Sequence, residues 1–370
     1  MLKEIISTSK NRGVSTVVGF SIILMMLIAS YTYYQATVIP EICSRYELNH
    51  FNKMVGQLIE FLSELKSSCS TGKHANLKID LGGNYPVIPF FSTPTSFSST
   101  VIPYDGEIRI KNALALEEDL RKVFDGKEVV WKCNNLKVVP NYLFSSSSII
   151  IYEYGVVGVG KRNYIPLSRL IEKESISLVL INCSIRSISN FVIERTLKCI
   201  SGGGHVEIVD SGSPIEIWVK TKLPLDFWRN AVDRKSVESI NKSGNYVILK
   251  LRRNKVYSLS TCIFDLTSVE QTPSYLIRIS PKAQVSPCNL FVKVKDEYGN
   301  PVGGSNVRFE SLNNSCILTN GTSSGFSVLA KSNQFGIAGI VVKECNGKDV
   351  IVSSLTRKDG TKYEVTFIVY

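Results

Sequence analysis

Asn289-Leu290-Phe291-Val292-Lys293-Val294-Lys295-Asp296-Glu297-Tyr298-Gly299-Asn300-Pro301-Val302 reads as a strand running into a tight polar turn. Leu290, Val292 and Val294 share one face of an extended chain, because successive strand side chains point to opposite sides. Gly299 permits positive φ and Pro301 fixes φ at the next corner, as a sharp reversal requires. Residues 305–309 then read as the return strand, and residues 283–370 as a β domain.

The same grammar extends backwards. Leu77, Ile79 and Leu81 alternate with polar residues, and a proline-rich loop follows from Tyr85 through Pro94 to Pro103. Further strands are expected at 107–110, 129–131, 149–154, 177–181, 205–209, 215–219, 246–251 and 275–279, with helical interruptions at 116–123 and 225–232. Short strands separated by turn residues predict antiparallel sheets in a sandwich. The fold class is therefore mainly β, with a β-rich ectodomain over residues 71–282 ahead of the second sandwich at 283–370.

Everything upstream of residue 71 obeys a different period. Residues 14–40 carry no charge and follow a basic leader, residues 1–13, which contains Lys3, Lys10 and Arg12. An apolar run of this length is enough to cross a bilayer core of ~30 Å as a helix. Its basic flank predicts a cytoplasmic N-terminus and an extracellular ectodomain. The run is too long for a secretory signal, and Tyr31, Tyr33, Tyr34 and Gln35 occupy the place of a small-residue cleavage site. Pro40 is expected to end or kink the helix. Beyond it Leu48, Phe51, Val55, Leu58, Leu62 and Leu65 form a stripe at helical spacing, with Glu47, Lys53, Glu60 and Glu64 off it. That stripe can pack on the chain's own head or on a second copy.

Composition narrows the function classes. Hydrophobic residues make up 44% of 370, which excludes a disordered chain. The net charge of +11 is spread without blocks, and an exported domain has little access to nucleic acid; acidic surface polymers or lipids are the partners such a balance attracts. Nine cysteines include no C-x-x-C pair, so neither a zinc site nor a redox dithiol is indicated. Wide spacing in an exported chain favours disulfides, with Cys316 and Cys345 first, Cys183 and Cys199 second, and Cys43 left over near the membrane. Sequons at Asn182, Asn241, Asn313 and Asn320 all fall in the outer part.

Three resemblances add to this reading. Arg12, Gly13, Val14, Ser15, Val17, Val18 and Gly19 resemble the class III signal of archaeal type IV pilin-like proteins, with Thr16 where that family often has proline. The resemblance implies cutting by prepilin peptidase between Gly13 and Val14. It also implies that Val17, Val18, Phe20, Ile23, Leu24, Leu27 and Ile28 lie in the membrane or in a filament core, against copies of this chain or other pilins. The span from Leu81-Gly82 through Tyr85-Pro86 to Asn141-Tyr142 is similar to archaeal membrane-anchored proteins with pilin-like N-termini. Asp296, Gly299, Asn300, Pro301 and Val302 resemble the first turn of the bacterial Ig-like fold of invasin and intimin type, and residues 332–338 its second; such domains are stalk or adhesion modules.

Catalytic motifs do not hold together. Residues 155–162 nearly match a phosphate-binding loop, but Arg162 stands where Ser or Thr must hold magnesium, and Asn163-Tyr164-Ile165-Pro166 starts a helix poorly. His50, His74 and His205 are scattered, and Gly202-Gly203-Gly204 reads as a hairpin turn. Asp105, Glu107, Asp296 and Glu297 have calcium-ligand chemistry but are more often solvated strand ends. The expectation is a non-enzymatic surface protein without cofactor or metal: a processed pilin-like minor or tip subunit, or a permanent single-pass anchor whose β domains bind surface glycans or proteins.

Overall fold

The computed structural model describes residues 2–71, 74–146, 148–182, 187–189, 191–265, 271–357 and 359–370, and leaves out the side chains of residues 2–15, 70, 119 and 122. The N-terminal region is helical throughout, as Leu2–Tyr33, a wide turn at Tyr34–Val38, and Ile39–Thr71. Pro40 does not end it. Proline lacks an N–H and its ring crowds the carbonyl four residues back. Just before it the helix opens into a π turn, in which the Ile39 N–H reaches Tyr34 O, five residues back.

The second half of this helix lies on the chain's own β domain. Met54, Leu58, Phe61, Leu62 and Leu65 are buried against Leu77 and Ile79 of strand Ala75–Asp80, with Val179, Ile181, Leu197 and Phe264 beyond. Each such burial contributes about 1.5–3 kcal/mol. The buried face is rotated from the stripe expected in the sequence: Leu48 is exposed, while Cys43, Glu47 and Met54 face inward. Glu47, placed off the seam by its charge, is completely buried.

The larger sheet runs, in spatial order, through Ala75–Asp80, Val192–Ser201, Tyr257–Asp265, Ser175–Asn182, Val129–Asn141, Ser96–Lys111, Glu216–Lys220, Tyr246–Leu251 and Val237–Ser243. One central pair departs from the antiparallel expectation. Ser175–Asn182 runs parallel to Tyr257–Asp265, in register from Ser175↔Ser258 to Asn182↔Asp265. Ile176, Leu178 and Leu180 enter one core and Val179 and Ile181 the other, so the strand is buried on both faces, as parallel strands usually are. The near phosphate loop is an ordinary hairpin: Tyr154 and Gly155, at φ +54° and +93°, join Ile149–Glu153 to Val156–Gly160. Of the two helical interruptions, residues 225–232 contain the α-helix Leu225–Ala231, whereas residues 116–123 hold only the 3-10 turn Glu118–Lys122.

The C-terminal sandwich consists of two five-stranded sheets. Tyr275–Arg278, Cys288–Lys295, Ile337–Cys345, Cys316–Thr319 and Ser324–Gly325 form one. Ala283–Gln284, Lys362–Val369, Asp349–Thr356, Asn306–Ser311 and Ser327–Lys331 form the other. Leu290, Val292 and Val294 meet Val307, Phe309, Ile351 and Phe367 between them. Strand Cys288–Lys295 and the return strand Asn306–Ser311 therefore lie in opposite sheets and do not form a hairpin. The turn between them closes on itself, through the bridge Lys295↔Pro301 and the backbone bonds Asp296 N–H to Asn300 O (2.9 Å) and Val302 N–H to Val294 O (3.0 Å), and the chain then crosses to the other sheet.

That same turn joins the two β regions. Asn300 Nδ2 donates to Ser201 Oγ at 2.6 Å and to Thr261 O at 2.5 Å, and Gly204 N–H donates to Asn300 Oδ1 at 3.0 Å. A Cβ on Gly204 would come within 2.9 Å of Asn300 Oδ1, so glycine is needed for the close approach. Gly202-Gly203-Gly204 is accordingly no hairpin turn: Val192–Ser201 and Val206–Asp210 both pair with Tyr257–Asp265, and the glycines interrupt one edge where the sandwich docks.

Candidate functional site: an uncovered apolar helix and its collar

From Thr16 to Tyr34 the helix meets almost nothing. Val17, Val18, Phe20, Ile23, Leu24, Leu27 and Ile28 are all exposed, with Val17 and Phe20 at 66%. Nineteen residues at 1.5 Å each span about 28 Å, close to a bilayer core. This is one helix long and apolar enough to cross a membrane. Three hydroxyls here and in the next turn are satisfied by the helix itself: Ser21 Oγ donates to Val17 O at 2.9 Å, Thr32 Oγ1 to Ile28 O at 2.8 Å, and Thr37 Oγ1 to Tyr33 O at 2.5 Å. Polar groups need such partners in an apolar medium, where water cannot supply them. The Arg12-Gly13-Val14 junction lies within the helical span, and the side chains there are outside the described residues.

Where the apolar cylinder ends, an aromatic collar begins. Tyr31 stacks on Phe91 with centroids 5.3 Å apart, and Tyr34 lies 5.8 Å from the same ring. Gln35 and Ser92 exchange two hydrogen bonds, at 2.8 and 3.3 Å. One turn on, Ile39 and Cys43 pack with Tyr85 and Phe97. Glu47 then fastens the helix. Its carboxylate accepts the Tyr85 hydroxyl and the backbone N–H groups of Leu143 (2.8 Å), Phe144 (3.1 Å) and Ser145 (2.6 Å). Sequence reasoning passed over Glu47 because charge is normally a mark of a solvated face. The available signal was its place in the series Cys43, Glu47, Met54, Leu58 at helical spacing.

Two disulfides staple the structure. Cys316 is bonded to Cys345 within one sheet. Cys69, near the end of the long helix, is bonded to Cys262 on the central strand, across 193 residues. Nothing in the spacing singled out that second bond. Cys183 lies outside the described residues; Cys199 is half-buried, with its thiol near Ser201 O at 3.5 Å. Cys43 is a buried free thiol. Among the sequons, Asn182, Asn241 and Asn313 are exposed, while Asn320 donates its amide to Leu329 O at 2.7 Å.

Two of the four acids with metal-ligand chemistry, Glu107 and Asp296, are engaged by protein donors. Glu107 is held by Arg109 at 2.6 Å and Tyr246 at 2.7 Å. Asp296 Oδ1 accepts the N–H groups of Tyr298 and Asn300. Among the described residues no group of three or more His, Cys, Asp or Glu side chains is placed to hold a metal. Glu153 has the most perturbed acid chemistry: burial pushes its carboxyl up to about 7, and Tyr104 and Thr221 both donate to it at 2.6 Å. It is fully buried in the core, which suits a structural role. A depression of about 470 Å³ is an open groove lined by Arg229, Arg234 and Arg252 with Glu238.

No family model matches the chain. A protein of Archaeoglobus fulgidus described as "Uncharacterized protein" is 22% identical over 321 residues, covering 80% of this chain and 52% of its own length. The chain thus spans about half the length of the curated relative it matches. Among solved structures, domains 4 and 5 of the S-layer protein SbsC are similar at 15% identity and TM-score 0.21, over 33% of this chain and 62% of that one. The Yersinia pseudotuberculosis adhesin InvE is similar at 9% identity and TM-score 0.22, over 46% and 55%.

Proposed function

We propose that this chain is a non-enzymatic archaeal surface protein, carried on its N-terminal helix and presenting two β regions outside the cell. The observation that carries this reading is the bare apolar helix from Thr16 to Tyr34, continuous with a half that is firmly packed on the β domain. Such a surface must be covered by lipid or by other helices. In this reading prepilin peptidase cuts between Gly13 and Val14, and the chain serves as a minor or tip subunit among related pilins. Intact-mass analysis of the cell-surface protein should find Val14 at the terminus, and Gly13→Trp should retain the leader; a native terminus upstream of Lys3 overturns processing.

The second reading is a permanent single-pass anchor outside any filament. The tyrosine collar favours it, because Tyr and Trp gather where a helix leaves lipid. Sheared filaments that lack peptides of this chain would select it. In either case the β regions are the binding surface. The arginine-lined groove between Leu225–Ala231 and Val237–Ser243 offers the charge that an acidic surface glycan requires.

A further inference from the structure

The loop from Tyr85 to Pro94 holds apolar side chains out into solvent at the place where the helix meets the head. Val87 is 91% and Phe90 94% exposed. Phe90 sits at φ +68°, a region that bulky residues rarely adopt, while the neighbouring Phe91 faces the helix. Pro86, Pro89 and Pro94 stiffen the segment.

We propose that this loop is a second membrane contact, with Val87 and Phe90 inserted into the interfacial layer of the leaflet from which the helix emerges. The inference rests on reading the helix as lipid-embedded. Position supports it first. Phe91 stacks on Tyr31, within the apolar run, and the Gln35–Ser92 pair locks the loop beside the collar. The exposed tip is thereby fixed at the depth where aromatic side chains partition into the headgroup boundary. Charge supports it second. No charged residue occurs from 81 to 104 or from 138 to 152. These two segments are held together at Tyr85 and Phe144, 5.8 Å apart, and through Glu47. Leu143, 69% exposed, lies on the second of them. An uncharged tip that exposes Val87, Phe90 and Leu143 beside an apolar helix matches lipid better than a protein partner, whose interface would carry a polar rim.

The test uses three single variants of the full chain, Phe90→Trp, Leu27→Trp and Leu312→Trp, reconstituted in phosphatidylcholine vesicles with brominated acyl chains. Trp131, Trp218 and Trp228 give a common background. Phe90→Trp should show blue-shifted emission and quenching by shallow bromines, Leu27→Trp quenching by deep ones, and Leu312→Trp none. Quenching of Leu27→Trp with Phe90→Trp unquenched overturns the loop contact and leaves the embedded helix standing. Quenching of neither overturns both. Shielding of Phe90→Trp in assembled filaments alone assigns the tip to a protein neighbour and overturns the proposal.

Discussion

The carboxylate of Glu47 and the backbone N–H of Ser145 are 2.6 Å apart, in a site where Glu47 is wholly buried. Three consecutive N–H groups and one phenol converge on a single side chain, so the helix is tied to the head by a charge that water never sees. Breaking it leaves buried donors without partners, the costlier side of hydrogen-bond energetics. Glu47→Ala should lower the unfolding free energy by about 3 kcal/mol, measured by denaturant melts of the full chain in detergent. A loss comparable to that of an exposed site such as Glu41→Ala would sink this account.

The two disulfides should differ in weight. In the chain-entropy treatment a bond stabilises more when it closes a longer loop. Cys69–Cys262 closes 193 residues and Cys316–Cys345 closes 29, which corresponds to upper limits of about 5 and about 4 kcal/mol. Cys69→Ser with Cys262→Ser should therefore depress the melting temperature more than Cys316→Ser with Cys345→Ser. The first pair should also loosen the long helix from the sheet, seen as faster amide exchange at Met54–Leu65. Equal exchange in both double variants would contradict the assignment.

Glu153 makes stability pH-dependent with an unusual sign. Its folded carboxyl titrates at about 7, raised by burial, against an ordinary 4.5. Between those values the folded state binds the extra proton, so stability falls as pH rises. The full shift corresponds to about 3 kcal/mol. Glu153→Gln should lose stability overall, because Thr221 Oγ already accepts from Leu223 N–H and Trp228 Nε1. The slope between pH 5 and 7 should nevertheless flatten. An unchanged slope would show that another group titrates.

Asn300→Ala should uncouple the sandwich from the larger sheet. The substitution removes three hydrogen bonds at the joint, to Ser201, Thr261 and Gly204, a loss of about 2–3 kcal/mol. Calorimetry should then resolve two transitions in the variant against one expected for the unaltered chain, with the sandwich core around Phe309 and Phe367 intact. A single transition moved uniformly downward would place Asn300 within one cooperative unit instead.

How much was legible can be judged from particular residues. Tyr246–Leu251 was readable because alternation on one buried face is a local pattern. The parallel pair at Ser175–Asn182 was not, since a continuous apolar run fits many partners and only the return of Tyr257–Asp265 selects one. The return strand after Pro301 went to the opposite sheet because strand pairing is decided by what covers each face, which turn chemistry alone does not encode. Glu47 was misread for the same reason: Tyr85 lies 38 residues away and its backbone partners 96 to 98.

The sequence by itself determined the periods: a charge-free helix at residues 14–40, a helical stripe after it, and alternating strands with polar turns to the C-terminus. Those are set by local sterics and by the separation of apolar from polar side chains, which act over a few residues. Only the tertiary structure decided which helix face is buried, that Asn300 joins two β regions, and that the uncharged 85–94 loop stands beside the helix with Phe90 outward. These depend on chain segments brought together from far apart, where burial turns an ordinary carboxylate or turn asparagine into a fastening.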